Sequence, residues 1–542
     1  MANTASVFFG TTLIEAVVAT FFFPGVFPTG PLASFFVVFL LCNSSFFVVY
    51  TLVIHPYFLS PLRHLPEGRG FRPLVGHELG FSKRPAGSPH LKLMKEVDND
   101  GLIMFRGYFH TNKLLVTTPA ALADVLVHKS YDVEKPPWTR AFLRKFLGDG
   151  LLTAEGEEHK HTRKHITPAF HFRNIKELYP VFWSKSIDFC EAIRAALQET
   201  GDDVLEIGHY ATQVTLDIIG LAGLGRDIGS LRNSEDELIK NYEEILEPTS
   251  EKAVYFLLHL IFSEKLIKML PWKVNERVRV TTANLKAICA DFVAQKRSKM
   301  KLESQESGDI LSIMIRSNNF SDANLVDQLL TFLAAGHETT SSALTWSSYL
   351  LSKHPAAQTR LREEIHKNIP DPSVLSNATT DIVSLLEGMP YLNAVCNEVL
   401  RLFPTVPITA RITIRDTMIA GQFVPKDTVL MIIPWAINRN PKLWGPDSEE
   451  FVPERWIDQT GRATMSGGAG SNYSFLTFLH GPRSCIGERF ARAELRSLLA
   501  ALVGFFELQM ADPNEEIVVG GTITSKPMNG MKLKLNPVDW GC

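Results

Sequence analysis

Charge is missing from one long stretch of this 542-residue chain: from Ala16 to Ile54 there is no Asp, Glu, Lys or Arg. Cysteine is scarce as well, with six residues (Cys42, Cys190, Cys289, Cys396, Cys485 and Cys542) scattered without paired spacing. That scatter excludes a disulfide framework and suits a reducing compartment. No run of basic residues occurs and the net charge is −3, which gives no footprint for nucleic acid. No Gly-x-Gly-x-x-Gly follows a predicted strand, so the chain carries no nicotinamide or flavin fingerprint of its own.

The uncharged stretch is divided by Pro24, Pro28 and Pro31. Its second part, Leu32 to Ile54, has the roughly 20 apolar residues that a membrane span needs, despite Asn43-Ser44-Ser45 at its centre. The first part, about Val7 to Phe23, contains Glu15 and reads as a second span, an interfacial helix or a re-entrant segment. No basic segment precedes it, which argues against a cleaved signal. Arg63, Arg69, Arg72, Lys83 and Arg84 follow, so the positive-inside rule places the remainder in the cytosol. We therefore expect a membrane anchor over residues 1–60 and a cytosol-facing body over 61–542. On such a body the Asn-x-Ser/Thr triplets at Asn319, Asn377 and Asn472 are ordinary surface residues.

The densest signal lies near the end, in Phe478-Leu-His-Gly481-Pro-Arg483-Ser-Cys485-Ile-Gly487. One cysteine sits in a glycine-punctuated loop at the start of a predicted helix, where free N–H groups lower a thiol pKa. Gly481 and Gly487 permit tight turns and close approach of a flat partner. A lone thiolate is a poor zinc site, which needs four ligands, but a good axial ligand for haem iron. The stretch resembles the haem-binding loop of the cytochrome P450 family, Phe-x-x-Gly-x-Arg-x-Cys-x-Gly, at every fixed position. The resemblance implies a mainly α fold with small β-sheets, and haem b held by Cys485, with Phe478, Arg483 and Gly487 around it.

Four further motifs follow in the family's order. His159 and Arg163, four apart on one helix face, match the pair that binds the haem propionates; Lys160 and Lys164 beside them offer a basic surface to an acidic electron donor. A helix predicted from the Ser321–Asp322 cap to Lys353 carries Ala334-Ala335-Gly336-His337-Glu338-Thr339-Thr340. Small residues there, with a threonine bonding back to a carbonyl, open a notch large enough for dioxygen beside an acid–alcohol pair able to pass protons. By resemblance Thr339 and Glu338 are the catalytic proton-handling residues. Glu398 and Arg401 at i, i+3, with Arg455 of Pro453-Glu-Arg-Trp456, match a buried structural network behind the haem. Between them Phe403 to Arg411 reads as extended chain; the resemblance points Val406, Ile408 and Thr409 at substrate and Arg411 at a propionate.

Other parts are less specific. The stretch Glu134 to Gly150 is loop-like, with Trp138, Phe142 and Phe146 as candidate substrate contacts, and Ala335 faces the same pocket. Asn174 to Leu302 reads as helical with breaks near Gly201, Gly223–Gly229 and Pro271, and Phe256, Leu257, Leu258, Leu260, Ile261 and Phe262 as core, pocket roof or bilayer contact. Gly520 to Ser525 looks like a hairpin turn dropping into the pocket.

The activity implied is a haem-thiolate monooxygenase that inserts one atom of dioxygen into a lipophilic small molecule delivered from the membrane. Terpenoid, polyketide, fatty-acid and alkaloid substrates all remain open; the look of the motifs resembles fungal enzymes of secondary metabolism. Electrons must come from a separate partner, an NADPH-dependent flavoprotein reductase, with cytochrome b5 as an optional second donor, at the endoplasmic reticulum membrane. Competing readings are an isomerase or dehydratase on the same fold, a haem sensor, and a membrane scaffold with an inert cysteine. The Glu338-Thr339 pair speaks against the first, and the second lacks a visible signalling domain.

Overall fold

The computed structural model describes residues 2–540 except 28, 71, 73–74, 82, 234–236, 247–250, 252–253, 256–257, 259–266, 268, 270–271, 303–307, 377–379 and 522. Of the apolar run near 256–262 only Leu258 is described, half-buried against the core. Asn377, Pro271 and Thr522 lie outside the described residues.

The body is built on the expected long helix, Asp322–Lys353. Ser321 Oγ caps it by accepting from Asn324 N at 3.2 Å, and it runs unbroken for 32 residues, roughly 48 Å. Most of its side chains are buried all round, the mark of a helix that crosses a core. Helices Ile207–Ile218 and Glu488–Phe505 pack against it, and Phe172–Thr200 packs against both of these. Gly201, at φ +64°, ends Phe172–Thr200 in a left-handed cap, as its sequence suggested.

A five-stranded sheet flanks the helices, in the order Leu102–Arg106, Asn112–Val116, Val429–Ile432, Thr409–Thr413, Val133–Glu134. Only the pairing of 112–116 with 429–432 is parallel. A second sheet joins Val204–Glu206, Lys532–Pro537 and Phe506–Met510.

One element differs from expectation. Residues 137–147 are a helix, Pro137–Leu147, within the stretch read as loop. Its start at Pro137 is natural, because proline is suited to a first helical turn. Phe142, Phe146 and Leu147 then bury one face of it.

At the N-terminus, helices Ala2–Phe22 and Pro31–Val49 lie against each other, and the second continues to Leu59 through a wider turn. Pro31–Leu59 is long and apolar enough to cross a membrane.

Candidate active site

The cysteine loop is closed by its own backbone: Cys485 N donates to Phe478 O at 2.8 Å, and Ser484 N to Gly481 O at 3.0 Å. Gly481 is obligatory, since its φ is +76° and a Cβ there would stand 2.1 Å from Leu126 O. Gly487 is different: its φ is −89°, and an added Cβ would meet only Phe170, at 3.8 Å. It therefore supplies a flat, open surface, and its role in turning the chain is minor. Leu479, at φ +55°, holds the strain of the loop in a non-glycine residue. The Cys485 side chain opens onto one large cavity, which Phe478, Arg483, Ser484 and Gly487 also line. Because protein surrounds that cavity, burial pushes the thiol up to about 11, against the Gly487 N–H and the charges of Arg163 and Arg492. The expected lowering by the helix start is present but outweighed.

The long helix forms another wall of the same cavity through Ala334, Ala335, Gly336, Glu338, Thr339 and Thr340. Thr339 Oγ1 donates to Ala335 O at 2.8 Å, so its lone pairs are left to accept from a donor in the cavity. The helix is not opened at Gly336. A Cβ there would lie 2.8 Å from Ile219 Cγ1, so the glycine gives close helix–helix packing, and the anticipated notch is instead the exposed side of Ala335 and Thr339. Glu338 is buried and turned to the C-terminal hairpin, accepting from Thr524 Oγ1 at 2.6 Å and pairing with Lys526 Nζ at 2.8 Å. That turn is fastened to the helix, because Ser525 O accepts from Ser342 Oγ at 2.6 Å and from Trp346 Nε1 at 3.0 Å. Gly521, Ile523 and Thr524 reach the cavity, the position anticipated for the hairpin.

The third wall is cationic. Lys135, Arg163, Arg411 and Arg483 line the cavity with His159, and Glu155 is the carboxylate set among them. Arg483 Nε donates to Glu155 Oε2 at 3.0 Å, its guanidinium reaches Ser130 O, and it lies 4.7 Å over the Tyr131 ring. Burial and the repulsion of Arg411 lower Lys135 to about 7. Burial brings Arg411 to about 10, and burial with the charge of Arg483 brings His159 to about 4. Against the upward push of burial, Lys135 and Arg483 hold Glu155 below the usual carboxylate range. Arg163 donates to Ser484 O at 2.6 Å, so it braces the cysteine loop as well as facing the cavity. Lys135, Glu155 and Lys526 were missed by sequence reasoning. Each sits a few residues from a recognised motif, and only the fold turns it inward.

Behind the cysteine loop, Glu398 accepts five hydrogen bonds. Arg401 donates through Nε and Nη2 at 2.8 Å each, Arg455 Nε at 3.0 Å, Val452 N at 2.9 Å and Trp456 Nε1 at 2.9 Å. Glu398 and Arg401 are fully buried, so this is no surface ion pair.

Two anticipated pocket residues lie elsewhere. Trp138 shares the i, i+4, i+8 stripe of Phe142 and Phe146 but sits in the first turn of that helix, where it is exposed and does not line the cavity. Ile408 packs on the core: strand alternation sends Thr409 and Arg411 to the cavity and residue 408 to the opposite side. Phe142, Phe146, Val406 and Thr409 do line the cavity.

The residues fit haem on three counts. One sulfur opens onto the cavity, and no group of three or more His, Cys, Asp and Glu gathers elsewhere among the described residues. Gly487 offers the flat approach, and a surplus of buried cations calls for carboxylates from outside the chain. The model of the family described as "Cytochrome P450" matches residues 66–533. The chain is 40% identical to "Cytochrome P450 monooxygenase sphH" of Aspergillus fumigatus, over 98% of each chain. It is 37% identical to "Cytochrome P450 monooxygenase ptmK" of Penicillium ochrochloron, over 91% of this chain and 97% of the other. It is 36% identical to "Cytochrome P450 monooxygenase FUM15" of Gibberella moniliformis, over 92% and 93%.

Proposed function

The chain belongs to the cytochrome P450 family and is a monooxygenase, and on that premise we propose that it oxidises a lipophilic secondary metabolite at a haem held by Cys485. The observation that carries this reading is the convergence on one cavity of a single thiol, Thr339 and a cationic wall. When bound to a cysteine thiolate, haem supplies reductive activation of dioxygen and insertion of one oxygen atom.

The chain's own residues do the rest. Lys135, Arg411 and Arg483, with His159 and Arg163, hold the haem carboxylates, and charge-assisted bonds suit that task. Thr339 accepts from a water or bound donor at the cavity wall and returns a proton by rotating its hydroxyl away from Ala335 O. Glu338 moves protons toward it from the side of Lys526 and Thr524. Phe142, Phe146, Val406, Thr409 and Ile523 shape an apolar substrate space, which favours the largely apolar skeleton of a terpenoid, polyketide, fatty acid or alkaloid over a small polar molecule. The Glu398–Arg401–Arg455 network keeps the cysteine loop in place.

Residues 1–60 anchor the enzyme in the endoplasmic reticulum, and 61–542 face the cytosol. An NADPH-dependent flavoprotein reductase, with cytochrome b5 as a second donor, supplies electrons. The test is to incubate membranes holding the enzyme with NADPH, reductase and a fungal metabolite extract. A mass gain of one oxygen in some component supports the reading; loss of that gain in Cys485→Ser assigns it to this site. An extract left unaltered by an enzyme that carries haem and accepts electrons would refute it.

A further inference from the structure

The helix pair at the N-terminus has its polarity inside out. Where the two helices touch, the first presents small or polar residues: Thr12, Ala16 and Ala19 recur at i, i+4 and i+7, and all three are buried. They face Phe35 and Asn43 of the second. The Asn43 side-chain amide donates one hydrogen to Glu15 Oε2 at 2.6 Å and the other to Thr12 Oγ1 at 3.1 Å. Thr12 passes its own hydrogen to Phe8 O at 2.9 Å, so the hydroxyl is satisfied. Phe8 meets Phe47 at one end of the seam, with ring centroids 6.2 Å apart, and Phe27 meets Phe35 at the other, 5.0 Å apart. These pairings run in opposite directions along the two segments, so the helices are antiparallel.

The outward faces are mainly apolar: Ile14, Phe21 and Phe22 on the first helix, and Leu41, Phe46 and Val49 on the second, are all exposed, with Thr11 and Ser45 among them. In water this surface would be costly and the polar seam would have competing partners; in lipid both terms reverse. The lengths differ. The first helix is apolar over Phe8–Phe22, about 22 Å against a hydrocarbon core of about 30 Å. It crosses by local thinning of the bilayer and by burying its weakly polar first turn, at a modest cost. Pro31–Leu59, with 29 residues, crosses with length to spare for a tilt. Glu15 is the one charged residue before Arg63, and it is the one that Asn43 holds. An ionisable side chain in a membrane segment is tolerated where a neighbouring helix pairs with it.

We propose that both helices cross the bilayer as an antiparallel pair clasped by Glu15, Asn43 and Thr12, which brings the first residues to the same side of the membrane as the catalytic body. The inference rests on the membrane placement proposed above and adds a second crossing to it.

The test uses the full chain in sealed microsomes, with a glycan-acceptor segment placed ahead of Ala2, in the turn between Phe23 and Gly30, or after the last residue. Two crossings predict a mass gain of one glycan for the turn acceptor alone, and protease removal of an epitope ahead of Ala2. A glycan ahead of Ala2 would mean a single crossing, and no glycan at any position a shallow hairpin; either overturns the proposal. Extraction of the protein by alkaline carbonate would instead refute the membrane placement itself. The clasp is tested by Asn43→Leu, which strands Glu15. A glycan should then appear ahead of Ala2, and Glu15→Leu combined with Asn43→Leu should abolish it. Unchanged topology in Asn43→Leu overturns the clasp.

Discussion

Replacing Glu398 by Gln keeps the side chain's shape and removes its charge. The amide oxygen will take the side with three donors, Arg401 Nη2, Arg455 Nε and Val452 N, because that leaves fewest unpaired. Its NH2 then confronts Arg401 Nε and Trp456 Nε1, two donors that lose their acceptor in a fully buried place. Stranding buried donors costs about 1–3 kcal/mol each, and breaking one side of a buried ion pair about 3–5 kcal/mol in all. Unfolding entropy near 2.1 cal/mol/K per residue gives about 1 kcal/mol per kelvin for a body of roughly 470 residues. The melting midpoint should therefore fall by about 3–5 °C, followed by far-ultraviolet circular dichroism. The haem spectrum should be lost at the same temperature as the helices, since the network adjoins the loop of Cys485. Arg360→Gln is the control: its pair with Glu454, at 2.7 Å, is about half exposed, and the midpoint should stay within about 1 °C. A Glu398→Gln protein that melts with the wild type would show that the network carries no stability.

Cys485→Ser should abolish the far red-shifted band of the reduced carbonyl complex, and an unchanged band would mean that the wrong ligand was named. Thr339→Ala should keep haem and substrate binding but lower product per NADPH about ten-fold or more while released peroxide rises; unaltered coupling would remove Thr339 from proton delivery. Lys526→Met should lower coupling in the same direction through Glu338, with Lys526→Arg largely restoring it, and should add nothing to Glu338→Gln. Additive effects would show that Lys526 acts elsewhere. Lys135, lowered to about 7 from an ordinary 10.5, is mostly neutral above that pH in the folded chain, and a bound carboxylate restores its charge. Cys485, pushed up to about 11, sheds its proton when it binds as a thiolate. Haem uptake at pH 8–9 should therefore show little net proton change, gain at Lys135 offsetting loss at Cys485. Below pH 7, where Lys135 is already charged, there should be a net release of about one proton. Calorimetry in buffers of different ionisation enthalpy measures this, and a Lys135→Met protein with the same proton count as the wild type at pH 8–9 would refute it.

What could be read in advance was whatever local spacing encodes. The Asp322–Lys353 helix was legible because its cap, its periodicity and the proline beyond it agree. The Phe478–Gly487 loop was legible because its glycines and its cysteine are needed at set intervals. Glu398 and Arg401 could be paired from i, i+3 spacing, but their complete burial could not, since it depends on Val452, Arg455 and Trp456 arriving from fifty residues on. Lys526 was illegible for the same reason: it meets Glu338 across 188 positions of chain. Gly336 misled because a helical glycine signals either a bend or a close neighbour, and only the position of Ile219 decides between them. The Pro137–Leu147 helix was illegible within its loop-like stretch because a proline pair suits a loop as well as the first turn of a helix.

The cationic wall also bears on how the chain folds. Lys135, Arg163, Arg411 and Arg483 are held around one cavity with Glu155, and burial disfavours the charged form of Lys135, Arg163 and Arg411. Chain-only interactions do not neutralise such a group, and part of the folding free energy is spent keeping the charges together. Two carboxylates brought by a ligand turn the same group from a cost into a gain, and a ligand that binds only the folded state stabilises it by mass action. The cavity is thus a place where cofactor capture and completion of the fold coincide: the side chains that hold the haem most firmly are those that weaken the chain without it.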